Sequence, residues 1–261
     1  MAELSFRVWV CRAAFETRAP VRFPPFAGNA FRGALGFRLP AGVFTPRASD
    51  GPSGLRDRPR PFVLRAAHLD GAAMPAGARF ELGLNVFDEG AVEPIQDALE
   101  GLAVEGAPLI LEDFSVRLAE LSLAPRLLAP AAVRVRLVTP LDLKGWSGAG
   151  LPPFAALAAR LRDRVSALAA FYQDNPLALD YAGLAARAAE VRTQGGELVE
   201  RHWVRSSRRT GRTNPMGGVT GWVDYAGPLA GFMPLLEAGF WTGVGRHTVW
   251  GMGWIKTLPG S

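Results

Sequence analysis

Twice along this chain a strand-like stretch gives way to a helical one, then to two strand-like stretches, a second helical stretch and a last strand. That order restricts the fold more than any other feature, because β-α-β-β-α-β closes into one antiparallel sheet with both helices on one face. Residues 4–15, LSFRVWVCRAAF, alternate apolar and polar and predict the first strand. Pro20 and Pro24-Pro25 then break regular structure. Phe31, Leu35 and Leu39 lie at i, i+4 and i+8 and predict a short helix. Residues 40–60, rich in Pro, Gly, Ser and Arg, predict an exposed loop. FVLRAAHL at 62–69 and residues 78–88 predict strands, and residues 90–103 a helix with Ile95, Leu99 and Leu102 on one face. Residues 108–123 predict a strand pair or one long bent strand.

Pro125 and Pro130 mark the boundary. Residues 132–143 predict the next strand, followed by helices at 153–173 and about 177–192. Strands are expected at 197–206 and 219–226, a helix at 227–239 ended by Gly239, and a last strand in TVWGMGWIKTL. The expected fold is α+β, with two tandem ferredoxin-like domains at residues 1–128 and 129–261. The second carries a helical insertion at about 153–192. A chain of 261 residues with 49% apolar and 20% charged residues can bury such a core.

No run of about 18 apolar residues exists, so no membrane span is expected. The N-terminus has an acid and no apolar stretch, so no signal peptide is expected. A single cysteine, Cys11, fits a cytoplasmic protein. Zinc spacing, an acidic magnesium cluster, a phosphate-binding G-x-x-x-x-G-K motif and a G-x-S-x-G elbow are all missing. No metal or cofactor is therefore expected.

Charge is more informative. Only Lys144 and Lys256 are lysines, so 27 of the 29 basic residues are arginines, against 24 acids. A GC-rich genome accounts for a general arginine bias but not for clustering. Residues 1–80 hold 12 arginines and five acids, and residues 201–213 hold Arg201, Arg205, Arg208, Arg209 and Arg212 with no acid. Clustered guanidinium groups suit phosphate. Trp146 and Trp222 are candidates for base stacking, but tryptophan is more often core, and none is assigned to RNA.

Near the C-terminus, residues 243–253 read G-x-G-x5-G-x-G, with Arg246-His247 inside. The spacing is not that of a dinucleotide site. Together with PPFAGNAFRGALGFRL from residue 24, TPLDLKG from residue 139 and GGVTGWVDYAGPLAGFMPLLEAG from residue 217, this loop resembles the RAMP superfamily of CRISPR-associated proteins. Within it the chain is similar to the endoribonucleases that cut precursor CRISPR RNA, the Cas6 family, and resembles the branch that processes RNA in type IV systems.

The resemblance implies two RNA-recognition-like domains. It also implies metal-independent cleavage beside a repeat hairpin, leaving a 2′,3′-cyclic phosphate and a 5′-hydroxyl. Partners would be the repeat stem-loop and other CRISPR effector subunits. Many relatives carry a histidine in or near the first helix; here the first histidine is His68. Arg38, Arg22 and Arg32 are therefore expected to act on the scissile phosphate, as clamps rather than bases. Arg18, Lys144, Arg160, Arg164, Arg205, Arg208, Arg209, Arg212, Gly243, Gly245, Arg246 and His247 are expected to contact RNA, with solvated loops and helix faces as the alternative. A second reading is a non-catalytic RAMP subunit that holds guide RNA. A third is a basic scaffold for proteins alone.

Overall fold

The computed structural model describes residues 4–47, 58–146, 148–173, 176–177, 179–206 and 213–260, without the side chains of 204–206 and 213–215. The chain divides into two compact units. Unit 1 comprises residues 1–122, 166–177 and 249–251, and unit 2 the remainder. The division follows Ser122, against an expected boundary at 128.

Unit 1 contains the strands β1 (Ser5–Thr17), β2 (Phe62–Arg65), β3 (Arg79–Val86) and β4 (Ala107–Ser122). They lie in the order β2-β3-β1-β4, with antiparallel neighbours throughout and a two-residue strand at Ala103–Val104 beyond β4. Helix α1 (Ala27–Leu35) follows β1 and α2 (Val92–Leu99) follows β3. This is the ferredoxin-like order expected from the periodicities. Residues 107–122 form one strand, not a pair. The strand expected at 62–69 stops at Arg65, and Ala67–Leu69 make a 3-10 turn. Phenylalanines fix α1 on the sheet: Phe31 stacks on Phe23 at 5.5 Å, and Phe23 meets Phe80 edge-on at 5.5 Å. All three are buried, and each such side chain contributes about 2–3 kcal/mol of burial.

Unit 2 repeats the plan with β5 (Ala132–Leu141), β6 (Arg192–Ser206), β7 (Thr213–Ala226) and β8 (Ile255–Pro259) in the order β8-β5-β7-β6, again antiparallel. Helices α3 (Phe154–Tyr172) and α4 (Tyr181–Glu190) fall between β5 and β6, and α5 (Met233–Thr242) between β7 and β8. Phe154 packs edge-on against Tyr225 at 5.1 Å and Phe232 at 5.0 Å in the centre of the core. Strands β6 and β7 pair from Arg192–Ala226 out to Ser206–Thr213, longer arms than the alternation suggested.

Two expectations are corrected here. Helix α5 does not end at Gly239. It continues to Thr242 and stops at Gly243, whose φ of +66° is left-handed. Gly239 lies inside the helix because a Cβ there would meet Leu161 and Ile255 at 2.7 and 2.8 Å. The last strand is also shorter than TVWGMGWIKTL. Thr248–Trp250 form a 3-10 turn, and left-handed Gly251 and Gly253 delay the strand until Ile255. No helix among the described residues is long and apolar enough to cross a membrane.

Candidate functional site

The segment from Arg18 to Phe26 leads from β1 into α1 and is held by backbone hydrogen bonds. Arg18 N–H donates to Pro108 O, Phe23 N–H to Ala72 O, and Gly71 N–H to Pro24 O, at 2.8–3.0 Å. Val21 and Arg22 pair with Met74 and Ala73. Val21 and Phe23 point inward, which turns Arg22 out to solvent. Among the described residues, no ion pair or side-chain hydrogen bond engages Arg18 or Arg22. These two guanidinium groups are exposed on a fixed backbone.

The other two arginines of this region are engaged. Arg32 lies over the rings of Phe44 and Trp250, at 4.8 and 5.4 Å. Arg38 donates its Nε–H to Ala98 O at 2.9 Å and an Nη2–H to Glu100 O at 2.5 Å. Those carbonyls lie at the C-terminal end of α2, where cationic donors are favoured.

Helix α1 has no capping side chain of its own. Asp70 supplies one from 43 residues away, its Oδ1 accepting the Ala27 N–H at 2.8 Å. Burial of that carboxyl pushes its pKa up to about 6, opposed by the Ala27 N–H and the nearby His68. The residue as a whole is exposed, so it remains open to proton exchange. His68 itself bonds through Nε2 to Glu81 O at 2.8 Å. No sequence spacing singles out Asp70, since its partner is remote in the chain.

Because Asp70 has a folded pKa above its ordinary 3.8, folding binds a proton between about pH 4 and 6. The group's contribution is most favourable below that window and is lost as pH rises through it. Asp70→Asn keeps the acceptor and removes the charge. It is expected to raise the melting temperature at pH 7.5 and to match wild type at pH 4. A parallel offset at both pH values would show that the carboxyl does not titrate in this way.

In the glycine-rich loop, Val249–Gly251 belong to unit 1 and the flanking residues to unit 2. Within unit 1, a Cβ on Gly28 would lie 2.0 Å from Trp250 O, and one on Gly251 2.8 Å from Leu64 O. Backbone meets backbone there, and only glycine fits. Within unit 2, a Cβ on Gly245 would lie 2.3 Å from Asp142 O, and one on Gly253 1.9 Å from Val244 O. Gly243 is buried and its N–H is committed to Gly239 O at 2.9 Å, so this residue serves the turn. Within each unit, these glycines thus allow a close approach of backbone to backbone.

What the loop presents outward is Arg246 and His247, both exposed. Arg246 makes a 3.4 Å contact with Asp142, and its N–H donates to Asp142 O. His247 has a φ of +60°. That conformation costs a non-glycine residue about 1–2 kcal/mol, and such strain collects at functional sites.

The remaining expected contacts divide. Lys144 is exposed in a turn after β5, with no side-chain partner among the described residues. Arg160 pairs with Asp163 at 3.2 Å, and Arg162 with the same carboxylate at 2.7 Å. Arg164 donates its Nε–H to Thr242 O at the end of α5, at 2.7 Å. Arg208, Arg209 and Arg212 lie outside the described residues, as does the side chain of Arg205. Cys11 is buried and its thiol is pushed up to about 12, so it is no nucleophile.

Comparison with known proteins bears on the fold. Residues 135–255 match the family of the CRISPR-associated endoribonuclease Cas6. No curated protein matches the chain. A Cas6 product complex superposes with a TM-score of 0.63 at 18% identity, over 96% of this chain and all of that one. Thermus thermophilus Cas6 gives 0.56 at 19% identity, over 99% and 100%. A partial Cas6-RT-Cas1–Cas2 complex gives 0.64 at 13% identity, over 99% of this chain and 47% of that one. A type IV Cas6 crRNA endonuclease reaches only 0.41, which carries no argument for that branch.

Proposed function

We propose that the protein is a RAMP protein of the Cas6 type, since its residues 135–255 match that endoribonuclease family, and that it binds the CRISPR repeat hairpin and cuts precursor CRISPR RNA without a metal. The ribose 2′-oxygen attacks the adjacent phosphorus, the 5′-oxygen leaves, and the products are a 2′,3′-cyclic phosphate and a 5′-hydroxyl. The observation that carries this reading is the pair Arg246-His247, held outward by a loop whose glycines are fixed by backbone crossings.

The reaction needs in-line placement of the 2′-oxygen, neutralisation of charge on the transition state, and proton transfer. Arg22 is assigned to the scissile phosphate, because its guanidinium is exposed on a pinned segment. Arg38 retains its second Nη for the same phosphate while its other groups hold α2. Arg32 acts through its contact with Trp250 and positions the loop. Arg18, Lys144, Arg246 and His247 hold the RNA backbone. Arg160 and Arg164 contribute less, since acid and carbonyl partners already engage them. The mature RNA stays bound and passes to other CRISPR subunits, which is why a modest rate suffices.

A guide-holding subunit without catalysis is the second reading, favoured by the lack of a histidine before His68. Incubation with repeat RNA in EDTA separates the two. Cutting is expected, abolished by a 2′-deoxy substitution at the cut and leaving a cyclic phosphate. Tight binding with intact RNA would establish the guide-holding role instead.

A further inference from the structure

The unit 2 sheet has a second face, turned away from its core. Strand registers place Lys256, Arg136, Trp222 and Glu197 in one row across β8, β5, β7 and β6, and Leu258, Arg134, Asp224 and Gly195 in the next. Val135, Val223 and Ile255 alternate with them and are buried in the core, so the two rows point outward. Arg136, Lys256, Glu197 and Leu258 are exposed, and Val199 and Arg201 continue the exposed face along β6. Lys256, Arg136, Arg134 and Arg201 thus set four cations against Glu197 and Asp224.

At its centre is a prebuilt stack. Asp224 accepts the Nε–H and an Nη2–H of Arg134, both at 2.8 Å. That fork sets the guanidinium carbon 3.7 Å from the centre of the Trp222 ring, a stacking distance. The hydrogen-bonded pair holds the Asp224 pKa below its ordinary value and raises that of Arg134, so both stay charged. Asp224 is 10% exposed and Arg134 29%, so the acid lies underneath and part of the guanidinium faces out. Beside the stack, the Lys256 ammonium lies 5.2 Å from the Trp254 ring.

We propose that this face binds single-stranded RNA, with one base stacked on the Arg134–Trp222 pair and phosphates on Arg136 and Lys256. The inference deepens the RNA-processing reading above by assigning a place for unpaired RNA outside the hairpin. Unpaired bases stack on aromatic rings and arginine planes, whereas a duplex buries its bases and has nothing to offer a flat sheet. A protein partner would require an apolar centre with a polar rim. Here the order is reversed: charge sits at the centre, and Leu258 and Val199 lie toward the edges.

The test is anisotropy binding of a labelled oligouridine of about twelve nucleotides, which forms no hairpin. Wild type is expected to bind with a strong salt dependence. Arg136→Gln with Lys256→Gln should reduce the slope of log K against log salt by about 1.4, the loss of two single-strand phosphate contacts. Trp222→Ala should weaken binding about tenfold or more. Trp222→Phe keeps a ring in the sheet and should fall between. No oligouridine binding by wild type, or binding unchanged in the double and Trp222→Phe variants, would overturn the proposal; capture of a protein by a face that ignores RNA would be the second form of that failure. Cleavage of the repeat hairpin is scored separately. A protein that binds oligouridine through this face but never cuts the hairpin retains the platform and loses the nuclease reading.

Discussion

Gly28→Ala is expected to lower the melting temperature by about 10 °C, and Gly33→Ala, five residues further along the same helix, to raise it by about 2 °C. Both changes add one methyl group to α1. At position 28 that methyl would lie 2.0 Å from the carbonyl oxygen of Trp250, and no side-chain rotation relieves a clash with backbone. Either α1 lifts from the Phe23–Phe80 bed or the loop withdraws, and each forfeits packing worth roughly 3 kcal/mol. At position 33 nothing lies within 4 Å, so the helix gains the usual preference for alanine, about 0.5–1 kcal/mol. At about 2–4 °C per kcal/mol for a chain of this size, the two variants separate by more than 10 °C in calorimetry. Equal shifts would show that α1 does not rest on the loop backbone.

The second large effect is catalytic. In single-turnover assays Arg22→Ala is expected to cut repeat RNA about a hundredfold more slowly, the scale set by removing one preorganised donor from a transition-state oxyanion. Its stability should scarcely change, because no described partner loses a bond. Arg22→Lys restores charge without the fork and should recover only part of the rate. Arg38→Ala behaves differently: it uncaps α2 and should lower both rate and melting temperature. Unaltered cutting by Arg22→Ala, with hairpin affinity intact, would remove Arg22 from the reaction.

Much of this architecture was legible because alternation and helical period act locally. LSFRVWVCRAAF could only be a half-buried strand, and the order of elements then closed both sheets. What alternation cannot show is where a long-range contact will fall. Asp70 caps a helix 43 residues earlier, and Arg134, Asp224 and Trp222 meet only because β5 and β7 lie side by side. Gly239 suggests a helix stop from the sequence, since a glycine's local preference is visible and its close packing is not. The arginines show the same limit. Arg18, Arg22, Arg32 and Arg38 look alike in the chain, yet a helix end takes two donors of Arg38, and two rings take Arg32.

The backbone crossings at Gly28, Gly245 and Gly253 have an evolutionary corollary. Each forbids a Cβ whatever the protein does with RNA, so selection for folding alone would keep these glycines in a descendant that had lost its chemistry. The glycine signature is therefore a marker of descent, blind to whether a given homologue still cuts. Under the proposed function, information about activity resides instead in side chains such as that of Arg22, which is exposed and engaged by no described partner.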